Sequence, residues 1–318
     1  MTEPNAETGM VPVGLTVGQD ARDYIAASRS AATQRAYKSD LAAFERWCRD
    51  RGRVALPAEP ATVADYLADC AMRGLAVATI GRYATSISVG HRMAGDPSPT
   101  KAEVVRLSLA GIRRQLGVAQ KRARALDVPS LREMVQALPD DLRGARDRAL
   151  LLIGFAAGLR RSEIVALDAS DVVEEPQGLR LTLRRSKTDQ AGEGRQIAIL
   201  RGRHPETDPV AALAAWREAS GIAEGSLFVS IHVSGKVGGR LSGIDVNRII
   251  VRAAKAAGLD STGLSGHSLR SGLATSAAAS GASERSIQAV TGHKSTTMLR
   301  RYIRQGSLFA ETVSTLDL

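Results

Sequence analysis

In the first third of the chain, apolar residues recur with the period of a helix. Between Ser30 and Arg51, Tyr37, Leu41, Phe44 and Cys48 fall at i, i+4, i+7 and i+11, which stacks them on one face. Arg35, Lys38 and Arg46 are interspersed among them and mostly point elsewhere. A second helix is predicted from Thr62 to Arg73, with Val63, Tyr66, Leu67 and Cys70 inward and Gly74 as the stop. A third runs from Val77 to Ala94, ended by Gly95 and Pro97, and a fourth carries Val105, Leu109, Ile112 and Leu116. With no strand signal among them, these helices predict a small all-α domain over residues 20–117. Residues 1–19 lack a basic-then-apolar layout and read as a flexible tail, not an export signal.

The periodicity stops at Gly117. Gly117 to Leu126 contains Lys121, Arg122 and Arg124, with no acidic residue before Asp127, so residues 118–126 read as a basic interdomain linker. A solvated charge run and a segment crossing nucleic-acid phosphates look alike at this level. Residues 127–318 are mixed in character. Leu131 to Leu138 and Arg146 to Ala157 have helical patterns, whereas Leu179 to Arg185 alternates as a half-buried strand with Gln196 to Leu200 as its partner. Ser186 to Gly192, between the two, is rich in turn formers. Further helices are predicted at Pro209 to Ala219, Gly243 to Ala257, Ser268 to Ser280, Glu284 to Val290 and Thr296 to Arg304. The expectation is a mainly α protein with a small β-sheet: an all-α domain followed by an α+β domain.

Composition narrows the class of partner. The formal charge of +10 attracts a polyanion, and DNA or RNA is the commonest one. No apolar run reaches the ~18 residues of a membrane span. Two cysteines, Cys48 and Cys70, both fall on apolar stripes and read as buried reduced thiols, which suits a reducing cytoplasm.

Several familiar chemistries have no residues to perform them. There is no Gly-rich loop ending in Lys-Ser or Lys-Thr, no Cys/His spacing that suits zinc, and no serine in a nucleophile elbow. What is left is a set of cations and one phenol. Tyr302 is the only tyrosine after residue 83, with Arg300, Arg301 and Arg304 as neighbours in a cationic setting that favours a phenolate and a phosphate. A lone helical tyrosine is usually a packing residue. In His267-Ser268-Leu269-Arg270 the imidazole and guanidinium are three apart and share a helix face, so they converge on one point. An Arg fork matches two phosphate oxygens, and a neighbouring His exchanges a proton near neutral pH. Alone, that pair is common. Thr291-Gly292-His293 comes nine residues before Tyr302, with Gly292 turning the chain and His293 at a helix start. Gly158-Leu159-Arg160-Arg161-Ser162-Glu163 ends one helix and begins another, presenting Arg160 at the junction. Lys187 sits in the turn between the predicted strands, where a lysine is ordinarily only solvated.

Taken in order, these pieces resemble the tyrosine recombinase (phage integrase) family: Gly-Leu-Arg-Arg-Ser-Glu, a hairpin Lys, His-Ser-Leu-Arg, Gly-His, and a Tyr nine residues on. The likeness extends into the first half. There Pro57-Ala58-Glu59-Pro60, Asp65-Tyr66-Leu67, Arg73-Gly74-Leu75-Ala76-Val77 and Thr79-Ile80 resemble Cre-like members of that family.

The resemblance implies a SAM-like core-binding domain, then a catalytic domain, closing on duplex DNA as a clamp. It implies that Arg160 and Arg270 hold the scissile phosphate and that Glu163 supports them. Lys187 would protonate the leaving 5′ oxygen, and His267 would manage the tyrosine proton. His293 stands where most of the family has His, a departure from the Cre-like pattern, and Tyr302 would be the nucleophile of a 3′-phosphotyrosine intermediate on the way to a Holliday junction. No metal or other cofactor is implied.

Arg35, Lys38 and Arg82, on the first and third main helices, become candidate DNA contacts, and Lys121 and Arg122 become candidate linker contacts. Leu241-Ser242-Gly243 is followed by Ile244 where the Cre-like pattern has a base-reading Arg, so the implied site differs. Phe309, Val313 and Leu316 recur at helical spacing near the C-terminus. The helix they imply packs in cis or docks on a neighbouring subunit; docking implies a homo-tetramer on DNA with inverted-repeat sites. Two alternatives stand beside this reading: a type IB topoisomerase-like relaxase, and a DNA-binding relative without catalysis. The second predicts a damaged residue set, and here every position is filled.

Overall fold

The computed structural model describes residues 18–117, 123–184 and 194–292, together with Arg300 and Tyr302. The chain divides into two units, Met1–Gln120 and Lys121–Leu318.

The first unit contains α1 (Gln19–Ala27), α2 (Ala31–Arg49), α3 (Pro60–Met72), α4 (Val77–Ala94) and α5 (Glu103–Leu116), with no strand among its described residues. Ser30 caps α2 by accepting the Thr33 N–H at 3.3 Å. Pro60 opens α3 at a position whose N–H has no helical partner, and Gly95 ends α4 at a φ of 84°. Tyr66 is the hub of the core: its ring lies 5.0 Å from Phe44, 5.3 Å from Trp47 and 5.9 Å from Tyr83. Leu67, Ile80, Ile87 and Val105 complete that core, and Leu116, predicted on the α5 stripe, is instead half exposed. Cys48 and Cys70 are free and fully buried, and burial pushes both thiols up. Among the unit's buried polar groups is a carboxylate. Asp40 of α2 accepts hydrogen bonds from the Arg82 guanidinium and, at 2.7 Å, from the Ser86 hydroxyl, both on α4.

In the second unit, α6 (Val128–Gln136) is capped by Asp127, which accepts the Ser130 N–H at 2.7 Å. After it come α7 (Leu142–Ala156) and α8 (Arg161–Ala166). From Ala149 to Ile153, α7 is buried all round, the mark of a central helix. The sheet follows: β1 (Val172–Glu175), β2 (Gly178–Leu183) and β3 (Arg195–Leu200), antiparallel in the order β1-β2-β3. Leu179 pairs with Ile199 and Leu181 with Ile197, all four buried, so the predicted alternation sets the register. Helix α9 (Pro209–Ser220) packs on α7. The hairpin β4 (Val229–Ile231) and β5 (Val237–Arg240) precedes α10 (Gly243–Ala256), α11 (Gly266–Ala279) and α12 (Glu284–Thr291). The sequence pattern missed β1, β4 and β5 because they are short; β5 reads Val-Gly-Gly-Arg, which has no strand propensity.

The basic stretch after Gly117 is only partly a linker. The Arg124 N–H donates to the Gly263 carbonyl at 2.9 Å and the Leu126 N–H to the Ser268 carbonyl at 3.1 Å, and Leu126 is buried. A Cβ on Gly272 of α11 would stand 2.1 Å from the Leu126 carbonyl oxygen, so that glycine lets the segment cross the helix. Residues 124–126 therefore belong to the packing of the second unit, and Lys121 and Arg122 lie outside the described residues.

Candidate active site

The site begins where α7 ends. Gly158, at a φ of 57°, turns the chain so that Arg160 becomes the N-cap residue of α8 and Glu163 falls in its first turn. The Glu163 carboxylate accepts the Arg160 N–H at 2.9 Å on one oxygen and the Arg160 guanidinium at 2.6 Å on the other. It is almost completely buried, and a carboxylate there requires a partner of opposite charge. Glu163 thus fixes both the backbone and the side chain of Arg160.

Helix α11 supplies the next two groups. Ser265 caps it, leaving His267 in the first turn and Arg270 three residues on, on the same face. Arg270 is 1% exposed; its Nη1 donates to the Gly158 carbonyl at 2.9 Å, and its Nη2 has no hydrogen-bond partner among the described residues. Burial first, then the charge of Arg160, push the Arg270 guanidinium down to about 9, with Glu163 pulling the other way. It stays a cation at neutral pH.

His267 Nε2 is hydrogen-bonded to the Tyr302 hydroxyl at 2.7 Å. Burial, then Arg270 and Arg160, hold the imidazole below the ordinary histidine value, which favours its neutral form. Tyr302 packs against Ala274 of α11 and Ile287 of α12, which seats its ring beside His267.

Five of the seven predicted catalytic residues are thereby placed: Arg160 with Glu163, His267 with Tyr302, and Arg270 joined to the first pair through Gly158. Lys187 and His293 lie outside the described residues. In the first unit, Arg35 and Lys38 are exposed on α2, and Arg82 is engaged with Asp40.

Sequence reasoning missed Arg195. The first residue of β3, it reaches the Val290 carbonyl with Nη1 and brings Nη2 to 3.6 Å from Glu163. Burial, against the pull of Glu163, lowers its pKa. A basic residue after a turn carries no pattern that separates it from a solvated one; the only signal was its place at the foot of the Lys187 turn. With Arg195 counted, two guanidinium groups pair with one carboxylate and the buried Arg270 lies near them, an excess of positive charge beside a phenol and an imidazole. This arrangement suits attack by the phenol on a bound anion.

Comparisons with known proteins agree in family. A model described as the phage integrase family matches residues 124–307, and one described as the phage integrase N-terminal SAM-like domain matches residues 23–93. An integrase/recombinase xerD homolog of Selenomonas ruminantium is 36% identical over 289 residues, covering 89% of this chain and 84% of that protein. Recombinase cre of Escherichia phage P1 is 28% identical over 279 residues, covering 81% and 79%. Among solved structures, XerH site-specific recombinase bound to a palindromic difH substrate aligns with a TM-score of 0.60 at 20% identity, covering 92% of this chain and 82% of that one. A lambda integrase dimer bound to a COC′ core site aligns at 0.57 and 23% identity, covering 90% and 94%. At these identities the structural likeness speaks to fold.

Proposed function

The chain belongs to the phage integrase family of tyrosine recombinases, enzymes that cleave and rejoin DNA, and from that premise we propose that Tyr302 is its nucleophile. The observation that carries this reading is the 2.7 Å hydrogen bond between Tyr302 and His267, beside the buried Arg270.

A phosphodiester resists attack because its charge repels nucleophiles and an alkoxide leaves poorly. The Arg160 and Arg270 forks neutralise the non-bridging oxygens as charge shifts onto them in the transition state. The Arg270 Nη2, without a hydrogen-bond partner among the described residues, is the donor a phosphate oxygen satisfies. A phenol holds its proton at neutral pH, and His267 takes it as the Tyr302 oxygen bonds to phosphorus. The bond from phosphorus to the 5′ oxygen breaks, and Lys187 supplies the proton that oxygen needs. The resulting 3′-phosphotyrosine conserves the phosphoester, so a 5′-hydroxyl from another strand reverses the step and yields a Holliday junction. His293 completes the phosphate's ligands in this scheme, which calls on neither metal nor ATP.

Duplex DNA is the partner this charge and fold serve. The structures this chain resembles include recombinases bound to DNA. Arg35 and Lys38, exposed on α2, with Arg82, Lys121 and Arg122, are its proposed contacts outside the reaction centre. Strand exchange between inverted-repeat sites requires four active sites, which we assign to a homo-tetramer exchanging C-terminal helices. Among the described residues no helix is long and apolar enough to cross a membrane, and the proposed setting is the cytoplasmic nucleoid.

The test uses a duplex recovered from a randomised pool by binding to Tyr302→Phe protein, then nicked beside the scissile phosphate so that cleavage is trapped. Wild-type protein should form a denaturation-resistant adduct and Tyr302→Phe none, with binding retained. An adduct in the variant overturns the assignment.

A further inference from the structure

We propose that Arg195 is a positioning residue for the cleavage step, holding the Glu163 carboxylate, and through it Arg160, in register with the end of α12. The inference rests on the assignment of Arg160 as a phosphate clamp.

Three contacts converge on this guanidinium. Its Nη1 donates to the carbonyl of Val290 and, at 3.4 Å, to that of Ala289, in the last turn of α12. Those carbonyls are among the unsatisfied acceptors of a helix end, where a cation is favoured. Its Nη2 is buried, has no hydrogen bond among the described residues, and faces Glu163 at 3.6 Å, so it acts there as a charge. The third contact is with a glycine. Gly292 closes α12 at a φ of 63°, and a Cβ there would stand 2.8 Å from Arg195 Nη1 and 2.9 Å from Cζ. The residue that ends α12 is therefore glycine for two reasons: the left-handed turn, and the guanidinium lying against its open face.

Glu163 is shared between two arginines. Arg160 takes its two oxygens at 2.9 and 2.6 Å, and Arg195 Nη2 lies 3.6 Å from the oxygen that accepts the Arg160 N–H. Without Arg195 the carboxylate has a single cation to follow, and Arg160 loses its fixed reference to α12, the helix that leads towards Tyr302. A buried strut would give the same contacts; what separates the two roles is whether the defect depends on phosphate charge.

Full-chain Arg195→Gln and Arg195→Lys are compared with wild type on the selected, nicked duplex, carrying either the native scissile phosphate or a methylphosphonate that removes one non-bridging charge. On phosphate, Arg195→Gln should slow adduct formation about 10- to 100-fold while DNA affinity stays within about threefold. On methylphosphonate, which needs less from the clamp, the ratio of wild-type to variant rate should shrink by about tenfold, with Arg195→Lys between the two proteins on phosphate. A rate for Arg195→Gln within about twofold of wild type on phosphate overturns the proposal, and so does an equal loss on both substrates, which marks a strut. Should Arg195→Gln lack a cooperative melting transition, Arg195→Lys decides: it keeps the charge near Glu163 but has no fork to bridge that carboxylate to the α12 carbonyls, and a wild-type rate on phosphate overturns the proposed bridge. A wild-type protein that forms no adduct on the phosphate duplex would instead overturn the reading of Tyr302.

Discussion

His267 and Tyr302, 35 residues apart in sequence, are joined by a 2.7 Å hydrogen bond between imidazole Nε2 and phenol oxygen. The bond joins the phenol to an imidazole whose charged form is disfavoured by burial and by the charges of Arg270 and Arg160.

The pH dependence follows from that sign. A histidine held below its ordinary value of ~6.5 stays deprotonated, and so able to accept, to lower pH than a free one. Adduct formation should keep most of its rate at pH 6.5 and fall on the acid side of that value. The single-turnover rate measured from pH 5 to 8 checks this, and His267→Gln should flatten the acid limb. An acid limb centred above 6.5 in the wild type would contradict the assignment of His267 as acceptor.

Glu163 should be sensitive to loss of charge at constant shape. Glu163→Gln turns one oxygen into an NH2 that must face an N–H donor of Arg160, leaving buried donors unpaired at a cost of about 1–3 kcal/mol in stability. Cleavage should fall further than binding. Urea melts and adduct kinetics on one preparation measure both, and a variant with wild-type melting and rate would remove Glu163 from the account.

Much of this site was legible in the sequence, because its residues come as short local motifs. Arg160 and Glu163 occupy one helix start, and His267 and Arg270 one helix face; spacing joined the second pair, and the family resemblance joined the first. The α4 boundaries also matched, since Gly95 stops the helix where its sequence predicted. What could not be read was long-range. Arg195 meets Glu163 and Val290 only through tertiary packing, and nothing in its neighbourhood distinguishes it from a surface arginine. Asp40 lies on the α2 face between apolar residues, and its partners Arg82 and Ser86 are more than 40 positions away. The strands β1, β4 and β5 are three or four residues long, too short to show an alternating pattern.

Lys187 can be tested by chemistry alone. If it protonates the leaving oxygen, Lys187→Ala should slow cleavage about 100-fold on an ordinary phosphodiester. A 5′-bridging sulfur, which leaves without a proton, should recover most of that loss. Equal impairment on both substrates would assign the proton to another group.

Arg82 carries two proposed roles, and a double-mutant cycle separates them. Removing it leaves Asp40 buried with Ser86 as its remaining hydrogen-bond partner among the described residues, and Arg82→Ala should cost about 1–3 kcal/mol because the pair is partly exposed. Adding Asp40→Ala should return part of that stability in urea melts. If DNA affinity recovers with it, Arg82 is structural; if affinity stays low in the refolded double variant, the guanidinium meets DNA directly.

The central claim is that the covalent bond to DNA is made by one oxygen, that of Tyr302. The most direct measurement is mass spectrometry of the trapped adduct after protease and nuclease digestion, locating the residue that carries the nucleotide remnant. The account predicts a 3′-phosphonucleotide on Tyr302, absent from Tyr302→Phe protein. A remnant on any other residue, or one carrying a 5′-phosphate linkage, would contradict it.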